Sequence, residues 1–159
     1  MRIFVTMLYH LEIKFKIMFK KLLSTQLWSA KATDWASLIL RLSLGLLMLN
    51  HGYPKLMKFF SGEEIKFGDP IFLGVTASLT LAVFAEFFCS ILIAIGLWTR
   101  LALIPLMITM LVAVSIVHFN DPMNKKELGL LYLLPYIALF LLGSGRFSVD
   151  AFWGKNKVG

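Results

Sequence analysis

Apolar and polar positions divide the chain into a mixed, basic opening and four long apolar runs, at about 35–57, 71–97, 101–117 and 128–142. A helix crossing hydrocarbon needs about 20 mostly apolar residues. The first three runs meet or approach that length, and the fourth is short alone but is extended by its flanking interface. Only Trp98-Thr99-Arg100 separates the second run from the third, so those two form an antiparallel helical hairpin. The other connections, 58–70 and 119–127, hold the turn formers Gly, Pro, Asn and Asp. The pattern predicts an all-α fold, an integral membrane four-helix bundle. Residues 1–34 form a basic tail, 35–153 the four-helix domain and 154–159 a short basic C-terminal tail.

Helical spacing sorts the polar residues inside the runs. Arg41, Gly45, Met48, Gly52 and Lys55 share one stripe, with His51 at its edge and Asn50 facing away. Leu79, Ala82, Glu86, Ser90, Ile93 and Leu97 share another, with Cys89 at its edge. Met107, Leu111, Val114 and His118 align on the third helix, and Glu127 opens the fourth above Leu131, Leu134 and Leu141. Ionisable groups in hydrocarbon cost about 2.5–3.5 kcal/mol each on insertion scales, so they face a bundle interior and are functional candidates. Arg41 and Glu86 are expected to reach one another as an intramembrane ion pair, serving to lock the helices rather than to relay protons or substrate. His51 and His118 fall toward one end with Lys55 and Glu127, and these four are candidates for contact with a ligand. Two histidines at matched depth suit haem, a metal or a quinone carbonyl. Haem is the weaker idea because no pattern of supporting partners surrounds them, and no metal site is assigned.

Smaller features complete the picture. Gly45 and Gly52 permit close helix approach. Pro105 is expected in the first turn of its helix, and Pro135 is expected to kink the fourth and free the carbonyl of Leu131. Thr33 or Asp34 is expected to cap the first span. Trp28, Trp35, Trp98 and Trp153 lie at span ends, as in an interfacial aromatic belt.

Composition agrees with the pattern. The chain is 58% hydrophobic and 16% charged, whereas soluble domains are about half apolar and about a quarter charged. That excludes a disordered chain and argues against a soluble globule. The net charge of +7 could suggest nucleic acid. The basic residues instead crowd the N-terminal tail and span ends, which is the pattern of topology and anionic lipid contact. Nucleic-acid binding is set aside on that ground. Lys and Arg counts place both termini in the cytoplasm. Residues 1–34 lack the form of a signal peptide, since Glu12, Lys14 and Lys16 break the apolar stretch. Met18 is a candidate start; otherwise residues 11–28 are expected to lie as a basic amphipathic helix on the inner leaflet. The lone cysteine, Cys89, allows neither an intramolecular disulfide nor a CxxC pair. No metalloprotease, phosphate-loop, nucleophile-elbow or dinucleotide motif is present.

Four segments together carry a resemblance: RLSLGLLMLNHGYPKL at 41–56, AEFFCSILIAIGLWTRLA at 85–102, VHFND at 117–121 and ELGLLYLLPYIALFLLGSGRFSVDAFW at 127–153. The chain resembles the DoxX family of small bacterial four-helix membrane proteins, over about residues 34–153. The resemblance implies an association with respiratory or redox complexes. The family's namesake is similar to a subunit of a thiosulfate:quinone oxidoreductase, and other members sit beside superoxide- or thiol-handling partners. Matching positions are Arg41, His51, Lys55, Glu86, Arg100, His118, Glu127, Arg146 and Asp150, with no catalytic role thereby assigned. The single Cys89 speaks against a quinone-linked thiol oxidant, and the long basic N-terminus departs from the compact start usual in the family.

The expectation is a multi-pass protein of the bacterial inner membrane, in contact with the lipid bilayer and with other membrane or redox proteins. Its first reading is a non-catalytic or quinone-interacting subunit of a membrane redox system. The alternatives are a small transporter or exporter, which would form homo-oligomers, and a ligand-free anchor or assembly factor. Whether the chain is itself an enzyme stays open at this level.

Overall fold

The computed structural model describes residue 10, residues 12–16 and residues 29–155. The amphipathic helix expected at 11–28, the belt residue Trp28 and the end of the C-terminal tail lie outside the described residues, except that 12–16 are helical. The chain divides into two compact units, Met1–Thr33 and Asp34–Gly159. Within the first, the Ser29 hydroxyl accepts the Ala32 N–H at 3.2 Å. This Ser29 bond, rather than Thr33 or Asp34, caps the first long helix, a turn earlier than expected.

The architecture is all-helical among the described residues: α1 (Ala30–Met57), α2 (Val75–Ile95), α3 (Thr99–Val117), α4 (Met123–Leu142) and the short α5 (Val149–Lys155). Three of them, α1, α2 and α3, are long and apolar enough to cross a membrane. The fourth, α4, has the length but opens with Lys125, Lys126 and Glu127. The protein is thus a helical membrane protein, a bundle of four long helices with α5 appended.

Each boundary has a local cause. Asp69 organises the approach to α2: its carboxylate accepts the N–H groups of Leu73 at 3.1 Å and Gly74 at 2.8 Å, and the Ser78 hydroxyl at 2.6 Å. Residues 70–74 therefore form a turn, and α2 starts four residues later than the hydropathy suggests. It ends where Gly96 takes a left-handed φ of 75° and the amides of Gly96 and Leu97 both return to the Leu92 carbonyl at 2.9 Å. Because α3 starts at Thr99, Pro105 sits in its second turn rather than its first. Both α2 and α3 contain a wide π turn, at Phe84–Cys89 and Ala113–Val117.

The glycines of α1 set its register on α2. A Cβ at Gly45 would meet the Ser90 carbonyl and the Ala94 side chain at 2.8 Å, and one at Gly52 would meet the Glu86 carbonyl at 2.5 Å. Gly52 thus lies beside Glu86, and Gly45 beside Ser90 and Ala94.

The predicted stripes of α1 and α2 are buried: Arg41, Gly45, Met48 and Gly52 on one, Leu79, Ala82, Glu86, Ser90 and Ile93 on the other. Those of α3 and α4 are rotated. On α3 the core residues are Ala102, Leu103, Leu106 and Met110, while Leu111 is exposed. On α4 the inward residues are Tyr132, Tyr136 and Leu139, while Leu131, Leu134 and Leu141 point outward. A helix apolar all round has little amphipathic signal from which to read its inner face. Lipid is as good a solvent for leucine as the core is, so leucine marks no interior in a membrane bundle.

Candidate functional site

The polar residues of the bundle gather at two ends. At the end carrying the α2–α3 turn, Arg41 is fully buried and its Nη2 donates to the Phe147 carbonyl at 2.7 Å. Its Nη1 lies 3.4 Å from the Ala94 carbonyl in the last turn of α2, where orphan carbonyls and the helix dipole favour a cation. Gly96 makes room, since any Cβ there would collide with the guanidinium. Around Arg41 the segment between α4 and α5 acts as a clasp. The Ser37 hydroxyl donates to the Gly143 carbonyl at 2.6 Å, and the Arg146 amide donates to Asp34 at 2.9 Å. The Asp150 carboxylate caps α3, accepting the N–H groups of Trp98 at 2.7 Å and Thr99 at 3.0 Å and the Thr99 hydroxyl at 2.9 Å.

Arg41 and Glu86, expected to pair, do not meet. The glycine register places Arg41 opposite Gly96, about ten residues or ~15 Å along α2 from Glu86. Glu86 instead pairs through Oε1 with Lys55, one turn beyond Gly52 on α1. Glu86 is 2% exposed, and its Oε2 has no protein partner.

That pair lies at the opposite end, between two cavities. One, of about 150 Å³, is polar in part and lies among α1, α3 and α4, with Glu86 of α2 in its wall. It brings His51, Lys55 and His118 together, beside Met48, Met110, Tyr132 and Lys125. His51 makes an edge contact with Tyr132, with ring centroids 5.7 Å apart. His118 is held by Asp121, Nδ1 to Oδ2 at 2.7 Å, so the imidazole is oriented from the loop side. The second cavity, of about 450 Å³, lies between α2 and α3 and is lined by apolar side chains including Leu81, Ala82, Phe84, Ile108 and Val112. The two cavities share Lys55, Glu86, Ala113 and His118. Both π turns fall at this junction, and such wide turns recur at functional sites.

Glu127 stands apart: it is exposed on the first turns of α4 and lines neither cavity. Among the described residues, no three His, Cys, Asp or Glu side chains come together as metal ligands would.

Several contributors escaped the sequence. Tyr132 and Tyr136 are buried on α4 with rings stacked 6.0 Å apart, hidden among leucines in the text of the chain. The Lys55–Glu86 pair could have been found from the glycines, because the placement of Gly52 decides which α1 cation meets the carboxylate.

The model of the DoxX family matches residues 36–119, just over half of the chain, from the third residue of the Asp34–Gly159 unit to the end of α3 and past His118. No curated protein and no solved structure matches the chain.

Proposed function

The chain belongs to the DoxX family, and on that premise we propose that it serves a membrane redox system as a quinone-interacting subunit, with the head group held at the Lys55–Glu86 junction. One observation carries this reading: a partly polar cavity of about 150 Å³ that gathers His51, Lys55, Glu86 and His118 shares Lys55, Glu86 and His118 with a mostly apolar one of about 450 Å³. Ligand sites are mostly apolar with a few convergent polar groups, and volumes of about 300–1,000 Å³ are usual. The apolar cavity falls in that range, and the polar one beside it supplies the convergent groups.

The residues fit a quinone head. Its carbonyl oxygens accept hydrogen bonds, and Lys55 carries protons beyond the one given to Glu86. His51 and His118 stand at the same cavity wall and can hold or release a proton there. When bound, a quinone supplies two-electron, two-proton chemistry. The chain's part is to orient the head, exclude water and place proton carriers beside it, while partner proteins supply the electrons.

In this reading the protein is multi-pass in a bacterial inner membrane, with the α2–α3 turn and both termini in the cytoplasm and the cavities toward the opposite surface. The transporter alternative draws less support. Between the cavities and Arg41 the bundle is filled by Ile93, Leu103, Leu106 and Leu139, each 0% exposed.

Purification in mild detergent should retain quinone, detectable by solvent extraction and absorbance. His51→Ala should lower the retained amount severalfold with the fold unchanged by circular dichroism. Wild-type protein from quinone-replete membranes that carries none would overturn the proposal.

A further inference from the structure

Glu86 imposes a chemical requirement on whatever occupies the junction. Its Oε1 is engaged by Lys55, while Oε2 is buried without a protein partner in a side chain 2% exposed. A carboxylate oxygen facing a lysine accepts hydrogen bonds, whereas the remaining N–H groups of Lys55 donate them. A carbonyl oxygen answers the lysine but leaves Oε2 unpaired, and a buried acceptor left unpaired costs about 1–3 kcal/mol, more if charged. A hydroxyl answers both groups at once: it accepts from Lys55 and donates to Glu86.

The second cavity decides the rest of the molecule. It begins at the same Lys55 and Glu86 and continues between α2 and α3 along Ala82, Ile108 and Val112. These are helices of the membrane-spanning set, so the groove adjoins hydrocarbon rather than water. It is about three times the volume of the polar cavity and shares Lys55, Glu86, Ala113 and His118 with it, which suits a chain attached to the head rather than a second, separate guest.

We infer that the junction selects a hydroxyl-bearing amphiphile: the reduced quinol form, with its hydroxyl donating to Glu86 Oε2 and its single apolar tail lying between α2 and α3. The inference rests on the quinone reading above and sharpens it in two respects, the redox form held and the path from the bilayer. No covalent or redox step is part of it.

The test is equilibrium binding to the full chain in detergent micelles, by calorimetry, with three probes: a ubiquinol with a ten-carbon tail, the same compound as quinone, and a tail-less ubiquinol kept reduced. The tailed quinol should bind about tenfold or more tightly than the tailed quinone. In Glu86→Gln, whose amide can donate as well as accept, that preference should fall to near unity. Ile108→Trp, which fills the groove without touching the polar junction, should weaken the tailed quinol about tenfold and leave the tail-less one unchanged. Circular dichroism and gel filtration identify any variant that fails to fold, and Ala82→Trp then fills the groove from the α2 side in place of Ile108→Trp. Equal binding of quinol and quinone by wild type, or a groove substitution that leaves the tailed probe unaffected, overturns the inference. If His51→Ala still weakens binding in that case, the quinone reading survives. Absence of binding by all three probes removes both.

Discussion

Single residues decide the geometry of this bundle through what they lack. Gly52 has no side chain, and that absence brings the α1 backbone against Glu86 and puts Lys55 within reach of the carboxylate. A methyl there has the Glu86 carbonyl at 2.5 Å, a backbone atom that cannot swing aside. Overpacking of this kind costs about 1–3 kcal/mol. Gly52→Ala should therefore lower the thermal unfolding midpoint in detergent and separate Lys55 from Glu86. Gly68→Ala, with open space around it, is the control and should leave the midpoint unchanged. Arg41 is the complementary case, a residue defined by what it reaches. Its planar fork serves carbonyls on two different segments, which the single ammonium of lysine cannot reproduce. Arg41→Lys should destabilise by about 1–3 kcal/mol, as expected for a buried donor network left partly unmade, measured by the same melt.

At the scale of elements, the helices were legible in the chain and their faces only partly so. Hydropathy located four helices and the tight α2–α3 turn, because a run of about 20 apolar residues has few other uses. It misplaced the start of α2, since the Asp69 turn hides within an apolar stretch, and began α4 five residues late, because Lys125, Lys126 and Glu127 lie on a helical turn that hydropathy discounts. Faces could be read on α1 and α2, where Arg41, Glu86 and the small residues mark an inside. On α3 and α4 they could not, because leucine is equally at home in lipid and core, and the inward mark on α4 is a pair of tyrosines. The candidate site was legible in part: of the four residues expected at one end, His51, Lys55 and His118 line one cavity and Glu127 does not, while the partner of Glu86 depended on a register only the glycines reveal. The α3–α4 connection carries its own pH dependence. His118 holds the Asp121 carboxyl below the ordinary carboxylate range by hydrogen bonding, with Lys125 and Lys126 adding to the effect. A carboxyl depressed in the folded state contributes stability that is complete above its unfolded value of about 3.9 and is lost as pH falls through the lower folded value. Asp121→Asn should remove that contribution, so wild type should lose more melting temperature than the variant on acidification below about pH 4.

The whole molecule is polar at both ends for different purposes. At the α2–α3 turn the long-range polar contacts tie α1, α2 and α3 to the segment from Gly143 to Asp150, and Asp150 alone ties α5 to the start of α3 with three hydrogen bonds. At the opposite end the polar groups line open space and keep unused capacity. On the proposed reading the helix-joining contacts lie at one pole and the ligand site at the other, so the two are separable by mutation. Asp150→Ala, which removes a cap worth about 0.5–2 kcal/mol, should lower the melting temperature while leaving quinone retention at the far cavity close to wild type.

The clasp around Arg41 also has a consequence in time. Arg41 emerges from the ribosome 106 residues before Phe147, whose carbonyl takes its shortest hydrogen bond. At a synthesis rate of about 5–20 residues per second, that interval is about 5–20 s. During it the guanidinium lacks the acceptor that holds it in the finished fold. The lock on α1 is therefore among the last contacts that synthesis makes available, closing only once the segment after α4 has been made.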